Sequence, residues 1–131
     1  MKETILLFQF DKDRAEKIRR ALMPLKIRVK TVRPEEYCQK IGYLAGNKEI
    51  PMVENGQMPA NILQNGGIEQ EMLIMAWLTG HQVDQVLTAF RRQGIGRIDY
   101  KAVVTSQNQY WDCKTLYEEL KKEHEAFMGR A

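Results

Sequence analysis

The second half of this chain repeats the pattern of its first. Shifted by 68 positions, Ile5-Leu6-Leu7-Phe8-Gln9-Phe10 falls on Leu73-Ile74-Met75-Ala76-Trp77-Leu78. In the same register Ala15, Ile18, Ala21, Leu22 and Ile27 fall on Val83, Val86, Ala89, Phe90 and Ile95. Each copy reads as an apolar strand, a polar turn, an amphipathic helix and a return strand. Such a repeat constrains the fold and says nothing about a reaction.

Local signals place the elements. Asp11 or Asp13 caps a first helix that must stop before Pro24. Ile27, Val29 and Thr31 alternate with Arg28 and Lys30, the period of a strand with one wet face. Pro34 opens a short helix running to Leu44, with Glu35 and Glu36 at its positive end and Gly46 as its cap. Residues 46–70 show no sustained period; Met52, Val53, Met58, Ile62 and Leu63 are scattered through them, so part of this insertion is expected to fold back on the core. After the strand at 71–78, Thr79 and Gln82 form a capping box for the next helix, which Gly94 ends. A more polar strand at 98–105 and a turn lead to a last helix at about 112–127. Leu116, Tyr117, Leu120, His124 and Phe127 mark its apolar side.

These elements predict a single α+β domain over residues 1–131, built from two βαβ repeats at about 4–33 and 71–105. The expected arrangement is the ferredoxin-like duplicated sandwich, in which each βαβ is split. In it strands 1 and 3 are central and apolar on both faces. Strands 2 and 4 are edges, carrying Arg28, Lys30, Asp99 and Lys101. The competing reading is an open parallel α/β sheet. The first and third helices cover one face; the 34–45 helix, the C-terminal helix, the insertion or a second copy must cover the other.

Composition narrows the function classes. Hydrophobic residues make up 44% of the chain, enough for a globular core, and the apolar run Ile5–Phe10 is too short to span a membrane. Cys38 and Cys113 have no metal-ligand spacing and read as free thiols of a cytoplasmic protein. Residues 1–33 hold ten Lys/Arg against four Asp/Glu, so Lys26, Arg28, Lys30 and Arg33 form a candidate polyanion surface. Solvation of an exposed edge explains the same charges, and strand 3 lacks the aromatic pattern of an RNA-binding sheet, so nucleic acid is not the expected partner. His81 has no nucleophile spaced to work with it, and His124 has Leu120 one turn earlier where a second ligand would stand. Ser106 lacks an elbow motif, and Gly94-Ile95-Gly96 follows a helix instead of opening one. No catalytic residue, metal or cofactor is therefore expected. The most site-like cluster is Thr105-Ser106-Gln107-Asn108-Gln109 beside Tyr110 and Trp111, which also reads as turn and cap chemistry.

Several stretches carry a resemblance. Leu6-Leu7-Phe8-Gln9-Phe10-Asp11, Ile27-Arg28-Val29 and Ile41-Gly42-Tyr43-Leu44-Ala45-Gly46 are similar to a bacterial family of uncharacterised proteins, domain of unknown function 3783. So are Lys101-Ala102-Val103-Val104-Thr105, Asn108, Trp111, Leu116, Glu119-Leu120 and Glu123-His124-Glu125. The resemblance implies no catalytic residues; it draws attention to Lys101, Thr105, Asn108 and Trp111 as ligand-binding candidates. The leading expectation is a non-enzymatic binding or regulatory module. It would self-associate through an uncovered sheet face or an edge strand, or bind another protein. The alternatives are a small-molecule sensor or enzyme using the 105–111 turn and, more weakly, a nucleic-acid binder using the basic N-terminal third.

Overall fold

Strands that are apolar on both faces need cover on both sides, and two of them receive it. β1 (Thr4–Phe8) and β3 (Met72–Ala76) are buried at every residue. The computed structural model describes residues 1–53 and 67–129. β1 and β3 pair antiparallel at the centre of a four-stranded sheet of order β2-β1-β3-β4. β2 (Arg28–Thr31) lies parallel to β1 at one edge, and β4 (Tyr100–Val103) parallel to β3 at the other.

The helices follow from their caps. Asp11 accepts the Arg14 N–H at 2.8 Å and starts α1 (Lys12–Leu22). Thr79 and Gln82 exchange their side-chain bonds at 3.1 and 2.8 Å and start α3 (Gly80–Arg92). Both helices lie on one sheet face, where Ala15, Ile18, Leu22, Val86 and Phe90 pack against Ile5, Leu7, Leu73 and Met75. Truncating one of these leucines to alanine costs roughly 2–5 kcal/mol.

The second face is also covered within the chain. Tyr37, just after the 3-10 turn Pro34–Glu36, together with α2 (Ile41–Leu44), Ile68 and α4 (Cys113–Gly129), closes over Leu6, Phe8, Met72, Ile74 and Ala76. An uncovered sheet face is therefore not available for self-association, because these short elements fill it. Met58, Ile62 and Leu63 lie outside the described residues. The helix expected from Pro34 to Leu44 is broken in two: Lys40 turns extended and bridges to Asp112, and only Ile41–Leu44 is α-helical. Phe127, assigned to the apolar side of α4, is 66% exposed.

The split arrangement is not the one observed. A split βαβ holds a foreign strand between its two parallel strands, whereas here β1 pairs directly with β2 and β3 with β4. The wholly parallel alternative fails at the antiparallel β1–β3 pair. Both the split and the observed order bury β1 and β3 and leave β2 and β4 outside. Hydrophobicity alone does not choose between them.

Positions 68 apart share their backbone roles. Leu6 pairs with Ile74 in the middle of the β1–β3 ladder. Gln9 and Trp77, just past the two central strands, have φ of 64° and 66°. Lys26 and Gly94, just past the two helices, have φ of 57° and 68°. A left-handed backbone costs a non-glycine residue about 1 kcal/mol. At Gln9 and Trp77 side-chain bonds accompany it: Gln9 Nε2 donates to the Tyr37 hydroxyl at 3.1 Å and Trp77 Nε1 to the Ala45 carbonyl at 2.8 Å. Thr4 pairs with Arg28 but Met72 with Tyr100, so the second unit is four residues longer between helix and return strand.

Candidate functional site

In a parallel ladder alternate residues turn their main-chain groups toward the neighbouring strand, and the others turn theirs outward. On β2 the bonds Arg28 N–H to Glu3 and Val32 N–H to Leu7 leave Val29 and Thr31 facing out. On β4 the bond from Val104 N–H to the Met75 carbonyl leaves Lys101 and Val103 facing out. An unpaired row of this kind is a template for another strand.

The two edges are finished differently. From α1, Arg19 donates Nη1 to the outward Val29 carbonyl at 2.8 Å and Nη2 to the Thr31 hydroxyl at 2.9 Å. The position 68 residues later is Leu87, half-buried on α3 and without a donor. Among the described residues nothing is hydrogen-bonded to the outward amide and carbonyl of Lys101. Lys101 is exposed, and Val103 is 41% exposed.

A tight turn closes the C-terminal end of β4. Asn108 donates Nδ2 to the outward Val103 carbonyl at 3.1 Å and accepts the Thr105 N–H on Oδ1 at 2.7 Å. The Thr105 hydroxyl accepts the Asn108 N–H at 3.0 Å in return. The turn is fastened to α2: Asn47 Nδ2 donates to Gln109 Oε1 at 3.0 Å, and Ile41 N–H to the Trp111 carbonyl at 2.9 Å. Glycine at position 42 permits this approach, since a Cβ there would meet Ile50 and lie 3.0 Å from the Gln109 carbonyl. Tyr110 and Trp111 stay at the surface, Tyr110 55% exposed.

Of the four candidates on this strand and turn, Thr105 and Asn108 are brought together, and the Asn108 amide is committed to the turn's own main chain. Lys101 lies at an outward strand position, and Trp111 at the far side of the turn. The four basic candidates separate. Lys30 is 3.3 Å from Glu36, and Arg33 is 3.9 and 3.8 Å from Glu35 and Glu36. Burial opposes ionisation of Glu36, but the Arg33 amide and the Lys30 ammonium outweigh it and hold its carboxyl below the ordinary value. Arg28 and Lys26 have no such partner among the described residues.

Sequence reading missed the Arg19 brace and the ion pair of Arg14 Nε with Glu71 at 2.8 Å. That Nε is buried and out of line for a hydrogen bond, while Nη2 donates to the carbonyls of Gly96 and Arg97. The signal for the brace was present, because the 68-residue offset sets Arg19 against Leu87. Neither cysteine is an activated thiolate. Burial first, then the Asp112 charge, raises both thiols, and raises the fully buried Cys113 well above its usual value. His124 packs edge-on to Tyr100 at 5.3 Å between ring centres.

Among the described residues no cluster of three or more His, Cys, Asp or Glu is placed to hold a metal, and no helix is long and apolar enough to cross a membrane. No curated protein and no solved structure matches the chain. Residues 71–127 match the family described as a domain of unknown function, DUF3783. That stretch runs from β3 through α3, β4 and the Asn108 turn into α4, so the β4 edge lies within the segment that is similar to DUF3783.

Proposed function

We propose that this protein is a non-enzymatic interaction module that self-associates by pairing β4 with β4 of a second copy. The observation that carries the reading is where the caps fall: Arg19 takes the first outward carbonyl of β2, that of Val29, whereas on β4 Asn108 takes only the last, that of Val103, and leaves both main-chain groups of Lys101 free. Charge complementarity selects the occupant. Antiparallel approach centred on Tyr100, which extends the pairing of β4 into Arg97–Asp99 just before it, sets Lys101 of each copy opposite Asp99 of the other, so the pair forms twice. Asp99 already holds Arg97 at 2.8 Å and is 40% exposed at its side chain, which leaves an oxygen edge for the incoming ammonium. The same approach at β2, centred on Val29, would bring Arg28 of each copy against Lys30 of the other. The two βαβ units are read as copies of one ancestral unit, supported by the 68-residue offset shared by caps and left-handed residues. On that reading the first copy is capped at the start of its edge and the second only at the end.

A pairing of about four residues per chain is a small interface, so a dissociation constant of roughly 10–500 µM is expected. Sedimentation equilibrium tests it. Lys101→Glu, which sets acid against acid, should weaken association by about tenfold or more. Adding Asp99→Lys to Lys101→Glu should restore it, with unchanged circular dichroism in both. A monomer at every concentration, or an equal affinity in all three proteins, would overturn the reading.

A further inference from the structure

We infer that the chain carries a separate site for a small phosphorylated ligand, in the cleft where β1 and β2 begin. The cleft is about 490 Å³ and is lined by Lys2, Thr4, Arg28 and the loop Ala45–Glu49. That volume falls in the range of small-molecule sites.

The cleft's walls are fixed before any ligand arrives. Trp77 Nε1 holds the Ala45 carbonyl at 2.8 Å, and the Asn47 N–H bonds back to Gly42 at 2.8 Å. The buried Asn47 side chain accepts the Glu49 N–H at 3.0 Å and donates to Gln109 at 3.0 Å. This loop brings Lys48 into the same lining as Arg28. Such preorganisation lowers the ordering cost of binding.

Two of the three cationic side chains are unspent. Among the described residues Arg28 and Lys48 make no ion pair and no hydrogen bond through their side chains, whereas Lys30 and Arg33 are tied to Glu35 and Glu36. Lys2 reaches the Lys26 carbonyl at 2.6 Å and stands 3.9 Å from Glu3. Glu49 is the one carboxylate among the lining residues, against three cations.

The related cleft at the opposite end of the sheet shows that this balance is particular to the site. There Glu69, Gln70 and Tyr100 take the places of Met1, Lys2 and Arg28, and Glu71 and Asp99 add acid against the single cation Arg97. A guanidinium fork and two ammonium groups suit a multiply charged phosphate better than a single carboxylate. No aromatic ring lines the cleft and the basic stripe ends at the paired Lys30, so the surface fits a compact anion and not a nucleic-acid strand.

The test is an amide NMR titration of the full chain with inorganic pyrophosphate at constant ionic strength. Saturable shifts are expected at the amides of Lys2, Arg28 and Lys48, with a dissociation constant of about 0.1–5 mM. Arg28→Gln and Lys48→Gln should each weaken binding by about fivefold to tenfold, and Lys30→Gln on the same strand by less than about twofold. These are surface positions, and an unchanged amide spectrum elsewhere confirms the fold of each variant. No saturation by about 20 mM, or an equal loss with Lys30→Gln, would overturn the assignment. Tighter binding of a 12-nucleotide single strand that depends on Lys30 and Arg33 would replace it with a nucleic-acid surface.

Discussion

β2 and β4 hold the same place in their two units, yet their outward rows are capped at different points, β2 at its first outward carbonyl, Val29, and β4 only at its last, Val103. Each lies parallel to a buried central strand and follows an amphipathic helix. Each turns two residues outward, Val29 and Thr31 on β2 and Lys101 and Val103 on β4. On β2 the α1 guanidinium takes up the outward carbonyl and a hydroxyl. On β4 the α3 residue in that place is Leu87, and only the last outward carbonyl, that of Val103, is capped, by Asn108. Two units with one backbone plan therefore differ in where along the edge a side chain caps it, and so in which outward groups they offer a partner.

The largest effect is expected at the turn that closes β4. Asn108→Ala removes a buried side chain and its bonds to the Thr105 N–H and the Val103 carbonyl, and should cost about 2–3 kcal/mol in urea unfolding. Asn108→Asp keeps the acceptor and should cost about half as much. If both are neutral, the turn does not close the strand.

Next comes the pairing of each helix with the opposite unit. Arg14→Ala removes the Glu71 contact and two bonds to carbonyls, and should cost about 1–2 kcal/mol. Its counterpart Gln82→Ala loses the cap bond and a long 3.4 Å bond to Glu3, and should cost less than about 1 kcal/mol. Equal costs would show that the two units are energetically alike here.

Smaller in stability, but more telling, is exchange of the edge residues. Arg19→Leu should cost about 0.5–1 kcal/mol and open a second edge, so that light scattering reports assemblies larger than a dimer. Leu87→Arg should weaken dimerisation. Unchanged assembly in both would break the comparison.

The smallest effect near neutral pH is that of alkali. Burial pushes the Tyr37 phenol from 10.0 up to about 12, although the Gln9 hydrogen bond pulls the other way. Between those values the folded state keeps a proton that the unfolded chain releases, so stability is full below about pH 10 and falls toward pH 12. Trp77, which matches Gln9 in the other unit, donates to a carbonyl and adds no such dependence. Chemical unfolding at pH 9, 10.5 and 12 separates the two; a flat profile would remove Tyr37 from the account.

The central strands, the caps Asp11 and Thr79 and the edge identity of β2 and β4 were legible because each rests on short-range pattern or on alternation. Strand order was not, since splitting a βαβ leaves every residue's burial the same. The break at Lys40 was illegible for a related reason: its partner Asp112 is 72 positions away, and no local propensity encodes that bridge. At the site, Thr105, Asn108 and Trp111 were singled out as a polar cluster, but the commitment of the Asn108 amide to Val103 depends on where β4 ends. The phosphate cleft joins β2 to a loop from beyond α2, so only the folded chain sets Arg28 beside Lys48.

Residue-resolved amide hydrogen exchange at two protein concentrations, about 10 µM and about 1 mM, tests the open-edge account most directly. The account predicts that the Lys101 amide exchanges more slowly at the higher concentration while Val29 and Thr31 are unchanged. Exchange at Lys101 that ignores concentration, or protection that appears on β2 instead, would contradict it.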